Sequence, residues 1–270
     1  MARIYSTQVP KQRLTFPLER GIRTSMVAFQ GSRIQAVAFD YGNTLIEFGR
    51  NQIDHCDEAL GEVLAGLYGQ HDPERYRTLR EADRLAPYRN GYREGSLPEL
   101  TRQMVVSLYG RPPSPSDVDE LVAARFRAFV EVIQVETTTL EVLDWLLSAG
   151  LRLGLLSNYP CGDSIRASLE RTDILRRMST VVVSGEVGFV KPHAAVYRTL
   201  LEQLGTRAHE TLYVGDNWLA DVQGAKSAGL PCVQMRRWIP PEHFQPSPDD
   251  HQPDGTIDHL ERLPDLLTLP

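Results

Sequence analysis

Apolar and polar positions follow two different periods along this chain, and the switches between them outline its architecture. Residues 34–39 (IQAVAF) form a short β-favouring apolar run that stops at Asp-Tyr-Gly-Asn, the pattern of a buried strand ending in a turn. Residues 151–156 (LRLGLL) repeat the pattern and stop at Ser157-Asn158. Two further runs follow at 180–183 (TVVV) and 211–214 (TLYV), the second stopping at Gly215-Asp216-Asn217. Helical periodicity appears at residues 139–148, 165–169, 194–204 and 220–228. Strand, helix, strand in repetition predicts an α/β fold, a doubly wound parallel sheet with helices on both faces. Such sheets take ligands beyond the carboxyl ends of their strands, where each of these polar stops falls.

From about residue 46 to 136 the period is helical only, in stretches 54–67, 73–85, 97–108 and 116–132, with no buried strand. This predicts an inserted α-helical cap over the cleft, and the break at Arg111-Pro-Pro-Ser-Pro reads as an interhelical loop. The expected plan is an arm at 1–33, a core at 34–46 and 137–270, and a cap at 47–136. The arm has no clear period and leaves three readings open: a mobile segment, a strand added at the edge, or an over-extended start ahead of Met26. A Pro/Asp/His-rich loop at 240–253 precedes a short strand at 256–257 and a last helix from Leu260.

Composition narrows the functional classes. A chain of 270 residues that is 41% hydrophobic can bury a sizeable core. Its net charge of -6 gives no general electrostatic reason to expect nucleic acid or an anionic membrane as partner. Cys56, Cys161 and Cys232 are scattered without a CxxC pair, so neither a disulfide framework nor a thiolate zinc site is implied, and a reducing cytoplasm fits. No export signal is read at the start, and no segment reaches the ~18 apolar residues of a membrane span. Lys11, Lys191 and Lys226 are the three lysines among 29 basic residues, which makes each lysine conspicuous.

Four polar clusters carry candidate chemistry. Asp40-Tyr-Gly-Asn-Thr44 places a carboxylate at a strand end, where it can attack phosphorus while backbone N–H groups bind the transferring oxygens; an ordinary Asx turn uses the same residues. Ser157-Asn158 offers a hydroxyl and N–H donors to a phosphate oxygen, or simply caps the next helix. Lys191 enters a helix N-terminus against the dipole, which suits a cation aimed at an anion; a solvated lysine is the alternative. Asp216 and Asp221, five residues apart across a strand end and the next helix, can face one point and supply hard oxygen ligands for Mg²⁺, although Asp216 or Asn217 can also serve as a cap.

Together and in this order, the stretches AVAFDYGNTL, LGLLSN, GFVKPHAAVYRTLLEQLG and TLYVGDNWLADVQGAKSAGL resemble the haloacid dehalogenase superfamily of phosphotransferases, over about residues 34–267. An insert directly after the first motif matches that family's helical cap type. The resemblance implies that Asp40 is nucleophile and metal ligand and that the Gly42 carbonyl is a second ligand. It further implies that Asn43, Thr44, Ser157 and Asn158 hold the phosphoryl group. Lys191 would neutralise Asp40 and the phosphoryl oxygens, with Asp216 on Mg²⁺ and Asp221 as ligand or orienter.

One departure matters. Phosphatases of this family carry a second aspartate two residues after the nucleophile, as the acid/base, and here that position is Gly42. Loss of a positioned acid/base costs about 10²–10⁴-fold. Glu47, Asp54, His55 and Asp57 are candidate replacements, and Arg89 and Arg93 could meet an acidic substrate. Phosphonate-cleaving members of the family use a cap lysine, and residues 46–136 contain none, which argues strongly against that reaction. The leading expectation is a Mg²⁺-dependent phosphohydrolase or phosphotransferase acting on a small phosphorylated metabolite through an aspartyl-phosphate on Asp40. Its rival is a phosphate- and metal-binding module with little or no turnover. A 2-haloacid dehalogenase stands behind both, because those enzymes have no metal. Oligomeric state is not legible.

Overall fold

The computed structural model describes residues 27–239 and 249–269. Val27 opens a small antiparallel unit in which β1 (Ala28–Phe29) pairs with β2 (Ser32–Arg33). This unit is a sheet separate from the main parallel one, so residues 28–33 do not add a strand at that sheet's edge, and residues 1–26 lie outside the described chain.

β3 (Ala36–Phe39) is buried along its whole length, as its unbroken apolar run requires of a strand covered on both faces. After it come four helices, α1 (Arg50–Tyr68), α2 (Pro73–Arg89), α3 (Leu97–Tyr109) and α4 (Pro115–Val132), with no strand among them. Three start signals explain their boundaries: Asp72, Ser96 and Ser114 each accept backbone N–H bonds at the N-cap, with proline in the first turn. Residues 111–114 form an interhelical loop that ends in the Ser114 cap, and Pro115 opens α4. Leu60, Leu64, Tyr76, Val105 and Leu121 give this helical insert an apolar cluster of its own.

The chain then alternates: α5 (Thr137–Ser148), β4 (Arg152–Ser157), α6 (Gly162–Arg171), β5 (Thr180–Val183), the single turn α7 (Ser184–Val187), α8 (Ala194–Leu204) and β6 (Thr211–Gly215). A π-helical turn, Trp218–Gln223, leads into α9 (Gly224–Ser227), then β7 (Cys232–Met235) and β8 (Gly255–Ile257). The six strands β3 to β8 form one parallel sheet in the order β5-β4-β3-β6-β7-β8. One face packs on Leu143, Leu146, Ile165 and Leu169 of α5 and α6. The other packs on Val196, Tyr197 and Leu200 of α8 and Ala225 of α9.

Three expectations need correction. The helix at 220–228 begins as a π turn, so Asp221 sits on a widened turn and not on a regular α-helical one. No α-helix starts at Leu260: 3₁₀ turns at Leu260–Arg262 and Pro264–Leu266 run directly into β9 (Leu267–Thr268), which pairs with β1, because three residues cannot complete a helical nucleus before Pro264 interrupts. β7 was not anticipated, since Gln234 breaks its apolar run. That glutamine is fully buried and donates its side-chain N–H to the Asp216 carbonyl at 3.3 Å.

Candidate active site

Register brings the polar stops together. Phe39 lies opposite Leu155 on β4 and Val214 on β6, so Asp40, Ser157 and Asp216 leave adjacent strands at the same edge of the sheet. Above that edge is a cavity of about 790 Å³ walled by the sheet termini and the helical insert, with Asp40, Gly42, Asn43, Ser157, Asn158, Lys191, Asp216 and Asp221 all on its lining.

Lys191 is the electrostatic centre. Its side chain is only 2% exposed, and Nζ donates to Asp40 Oδ1 at 2.6 Å, Asp221 Oδ1 at 2.7 Å, the Leu156 carbonyl at 3.1 Å and the Tyr213 hydroxyl at 3.2 Å. Burial works to lower this ammonium, but the carboxylates of Asp221 and Asp40 outweigh it and hold it above its ordinary value. Lys226, by contrast, pairs with Asp254, so it is structural.

Asp40 is pushed up to about 6, chiefly by burial; Lys191 lowers it, but that charge is shared with Asp221, which raises it. Asp216 is held well above the usual carboxylate range by burial and by the charges of Asp40 and Asp221. One carboxylate oxygen from each of Asp40, Asp216 and Asp221 can be chosen so that all lie within 4.8 Å of one another. Hard oxygen donors that raise one another in this way fit a divalent cation, whose charge would relieve the repulsion. Within the trio, Asp221 is the most committed: Oδ1 takes Lys191 and the Tyr213 hydroxyl, and Oδ2 takes the Asn217 N–H at 2.9 Å. Asn217 itself caps the following turn through Ala220 N–H, which leaves Asp216 out of the capping role.

The remaining sequence-derived residues are placed as follows. Thr44 is buried and donates to Asp40 Oδ2 at 3.3 Å. Asn43 occupies the left-handed region at φ 58, its N–H bonded to the Ile46 carbonyl and its Oδ1 accepting Phe48 N–H, so it shapes the loop around Asp40. Asn158 spends both ends of its amide on the Lys191 backbone, at 2.8 and 3.3 Å. Ser157 ends β4 on the cavity wall. Among the acid candidates, Glu47 and His55 are exposed and do not line the cavity, and Asp54 pairs with Arg50. Asp57 alone of the four lines it, buried, with Oδ1 3.1 Å from Arg80 Nε. Arg89 and Arg93 are exposed and do not line it; Arg93 lies over the Phe189 ring.

Sequence reasoning passed over Tyr213, Tyr88 and Arg125. A tyrosine in a fully buried strand must find a partner for its hydroxyl, and that signal was available for Tyr213. Tyr88 reaches Asn158 from α2, and Arg125 stacks toward Tyr159 from α4; neither helix pattern distinguishes these positions from ordinary lining residues.

Comparison with known proteins agrees with this geometry. The family model described as haloacid dehalogenase-like hydrolase matches residues 99–235. A glyceraldehyde 3-phosphate phosphatase of Methanopyrus kandleri is 27% identical over 87% of this chain and 97% of its own length. A ribulose-1,5-bisphosphate 5-phosphatase of Halopiger xanaduensis is 27% identical over 86% of this chain and 99% of its own. Among solved structures, a 2-haloacid dehalogenase from Pseudomonas syringae pv. Tomato DC3000 superposes with a TM-score of 0.67 at 21% identity, covering 86% of this chain and 97% of that one. With half of its length matched by the family model and its parallel sheet shared with these neighbours, the chain belongs to the haloacid dehalogenase-like hydrolases.

Proposed function

We propose that this protein is a Mg²⁺-dependent phosphohydrolase or phosphotransferase that acts on a small phosphorylated metabolite through an aspartyl-phosphate on Asp40. The observation that carries the reading is the convergence of Asp40, Lys191, Asp216 and Asp221 at the floor of one cavity. Curated relatives over nearly the whole chain are named phosphatases, which supports the same chemistry.

In this reading Asp40 attacks phosphorus with one carboxylate oxygen; the new O–P bond forms as the ester O–P bond breaks, and water later cleaves the acyl phosphate. Lys191 holds Asp40 ionised and steadies the equatorial oxygens, while Ser157 and the backbone of the 41–44 loop donate to them. Asp40, Asp216 and the Gly42 carbonyl would hold Mg²⁺, which when bound supplies positive charge opposite the phosphoryl group. Asp221 acts mainly by anchoring Lys191, since both its oxygens are taken. The helical insert serves as the cap that excludes water and contacts the rest of the substrate.

A second reading, a phosphate- and metal-binding module with slow turnover, is favoured by one feature: no acid/base stands at Gly42, and Phe48 is packed against that position. One assay separates the two. Hydrolysis of p-nitrophenyl phosphate that requires Mg²⁺ and disappears in Asp40→Asn supports the enzyme; Mg²⁺ binding without turnover on a broad metabolite panel supports the module. Full activity in Asp40→Asn excludes the aspartyl-phosphate mechanism.

A further inference from the structure

The charged groups of the insert that line the cavity are mostly paired within it. Arg80 faces Asp57 at 3.1 Å, Arg84 is held by Glu81, and Glu94 accepts the Ser184 hydroxyl at 2.7 Å. Arg125 and Asp83 are the exceptions, each lining the cavity without an ion pair. Among the described residues no carboxylate comes within 4.0 Å of the Arg125 guanidinium. Asp57, Asp83 and Glu94 feel its charge only from farther away.

Arg125 is nevertheless well placed. It lies 5.8 Å from the centroid of the Tyr159 ring, and Tyr159 directly follows Ser157-Asn158 at the sheet edge. Phe129, one turn along α4, packs on Tyr159 at 4.5 Å and on Phe48 at 5.6 Å. A continuous aromatic wall therefore runs from the nucleophile loop to this guanidinium. A desolvated cation without an anion is costly, and a planar guanidinium braced on an aromatic face is suited to receive a carboxylate or phosphate in two parallel bonds.

We infer that Arg125 is a specificity-determining residue that binds a second anionic group of the substrate, so that the natural substrate is a phosphate monoester carrying a carboxylate or a second phosphate at its other end. This rests on the proposed phosphohydrolase reading and goes beyond it, since a neutral-tailed phosphate would leave Arg125 without an anion at ion-pair distance.

The test compares kcat/KM, with Mg²⁺ present, for phosphoglycolate, ribulose 1,5-bisphosphate and glyceraldehyde 3-phosphate on wild type, Arg125→Met and Arg125→Lys. Wild type is expected to favour one of the two anionic-tailed esters, and which of them it favours separates a carboxylate from a second phosphate. Arg125→Met is expected to lower that kcat/KM by about 10–100-fold more than it lowers the value for the neutral-tailed ester, mainly through KM, as for loss of charge-assisted hydrogen bonds. Arg125→Lys recovers part of the loss, and serves alone if Arg125→Met does not fold. A wild-type preference for the neutral tail, or an equal loss on all three esters, overturns the inference and leaves Arg125 a structural residue. If wild type hydrolyses no phosphate ester at all, the phosphohydrolase reading fails separately, and calorimetry with 3-phosphonopropionate against methylphosphonate decides the subsite. Tighter binding of the former that vanishes in the variants keeps it, and equal binding removes it.

Discussion

At position 42 a hydrogen atom faces Phe48, and a side chain there would place its Cβ 3.3 Å from the Phe48 Cβ. The backbone at this glycine does not demand glycine, so its φ is not what keeps a side chain out. What an aspartate would meet is crowding, tight but relieved by a shift of a few tenths of an ångström. Gly42→Asp is therefore expected to raise kcat on a poor-leaving-group ester such as glycerol phosphate. The full value of an acid/base is about 10²–10⁴-fold, which sets the ceiling of the gain in steady-state kinetics, while overpacking of about 1–3 kcal/mol shows as lower stability of the variant. A fall in kcat would mean that the native chemistry uses the glycine. The neighbouring Asn43 illustrates the same economy of space, its left-handed backbone closing the loop so tightly that Thr44 can reach Asp40.

Among the elements, the turn after β6 is the most demanding. A Cβ on Gly215 would lie 2.5 Å from Asp221 Cγ, and that side chain cannot yield because Lys191, Tyr213 and Asn217 N–H hold it. Gly215→Ala is expected to destabilise the protein by about 1–3 kcal/mol, seen as a lower urea midpoint at unchanged m, and to weaken Mg²⁺ binding by calorimetry; an unchanged midpoint would mean that the π turn can move. This element also shows what could be read in advance and what could not. The strand ends bearing Asp40, Ser157 and Asp216 were legible because apolar runs stop abruptly there. The π turn was not, since its apolar spacing is that of an α-helix. β7 was hidden by Gln234, whose partner is a backbone carbonyl distant in sequence. Roles for Arg125 and Tyr88 depend on how α4 and α2 rotate over the cleft, and periodicity alone leaves that rotation open.

Across the whole molecule, the proposed metal site would couple protons on Asp40 and Asp216 to a cation. Both carboxyl groups are raised, Asp40 from 3.8 to about 6, so in the metal-free fold each keeps its proton to a higher pH than an ordinary carboxylate. Asp40's contribution to metal-free stability is thus complete below 3.8 and is lost as pH rises through about 6. Mg²⁺ must displace those protons at low pH and need not do so above it. The increase in melting temperature on adding Mg²⁺ is expected to be small at pH 5 and clearly larger at pH 7.5, measured against chelator at each pH; an equal increase at both would separate these carboxylates from the metal.

The insert and core also meet where the backbone of α2's exit loop pairs with the loop before Lys191: Val190 donates to the Tyr92 carbonyl at 2.8 Å and Glu94 to the Gly188 carbonyl at 3.1 Å. The roof of the chamber is thereby stitched to the peptide that carries its central positive charge. In the proposed mechanism, any lifting of the roof would pull on that stitch, so admission of substrate and the readiness of Asp40 to attack would become one variable.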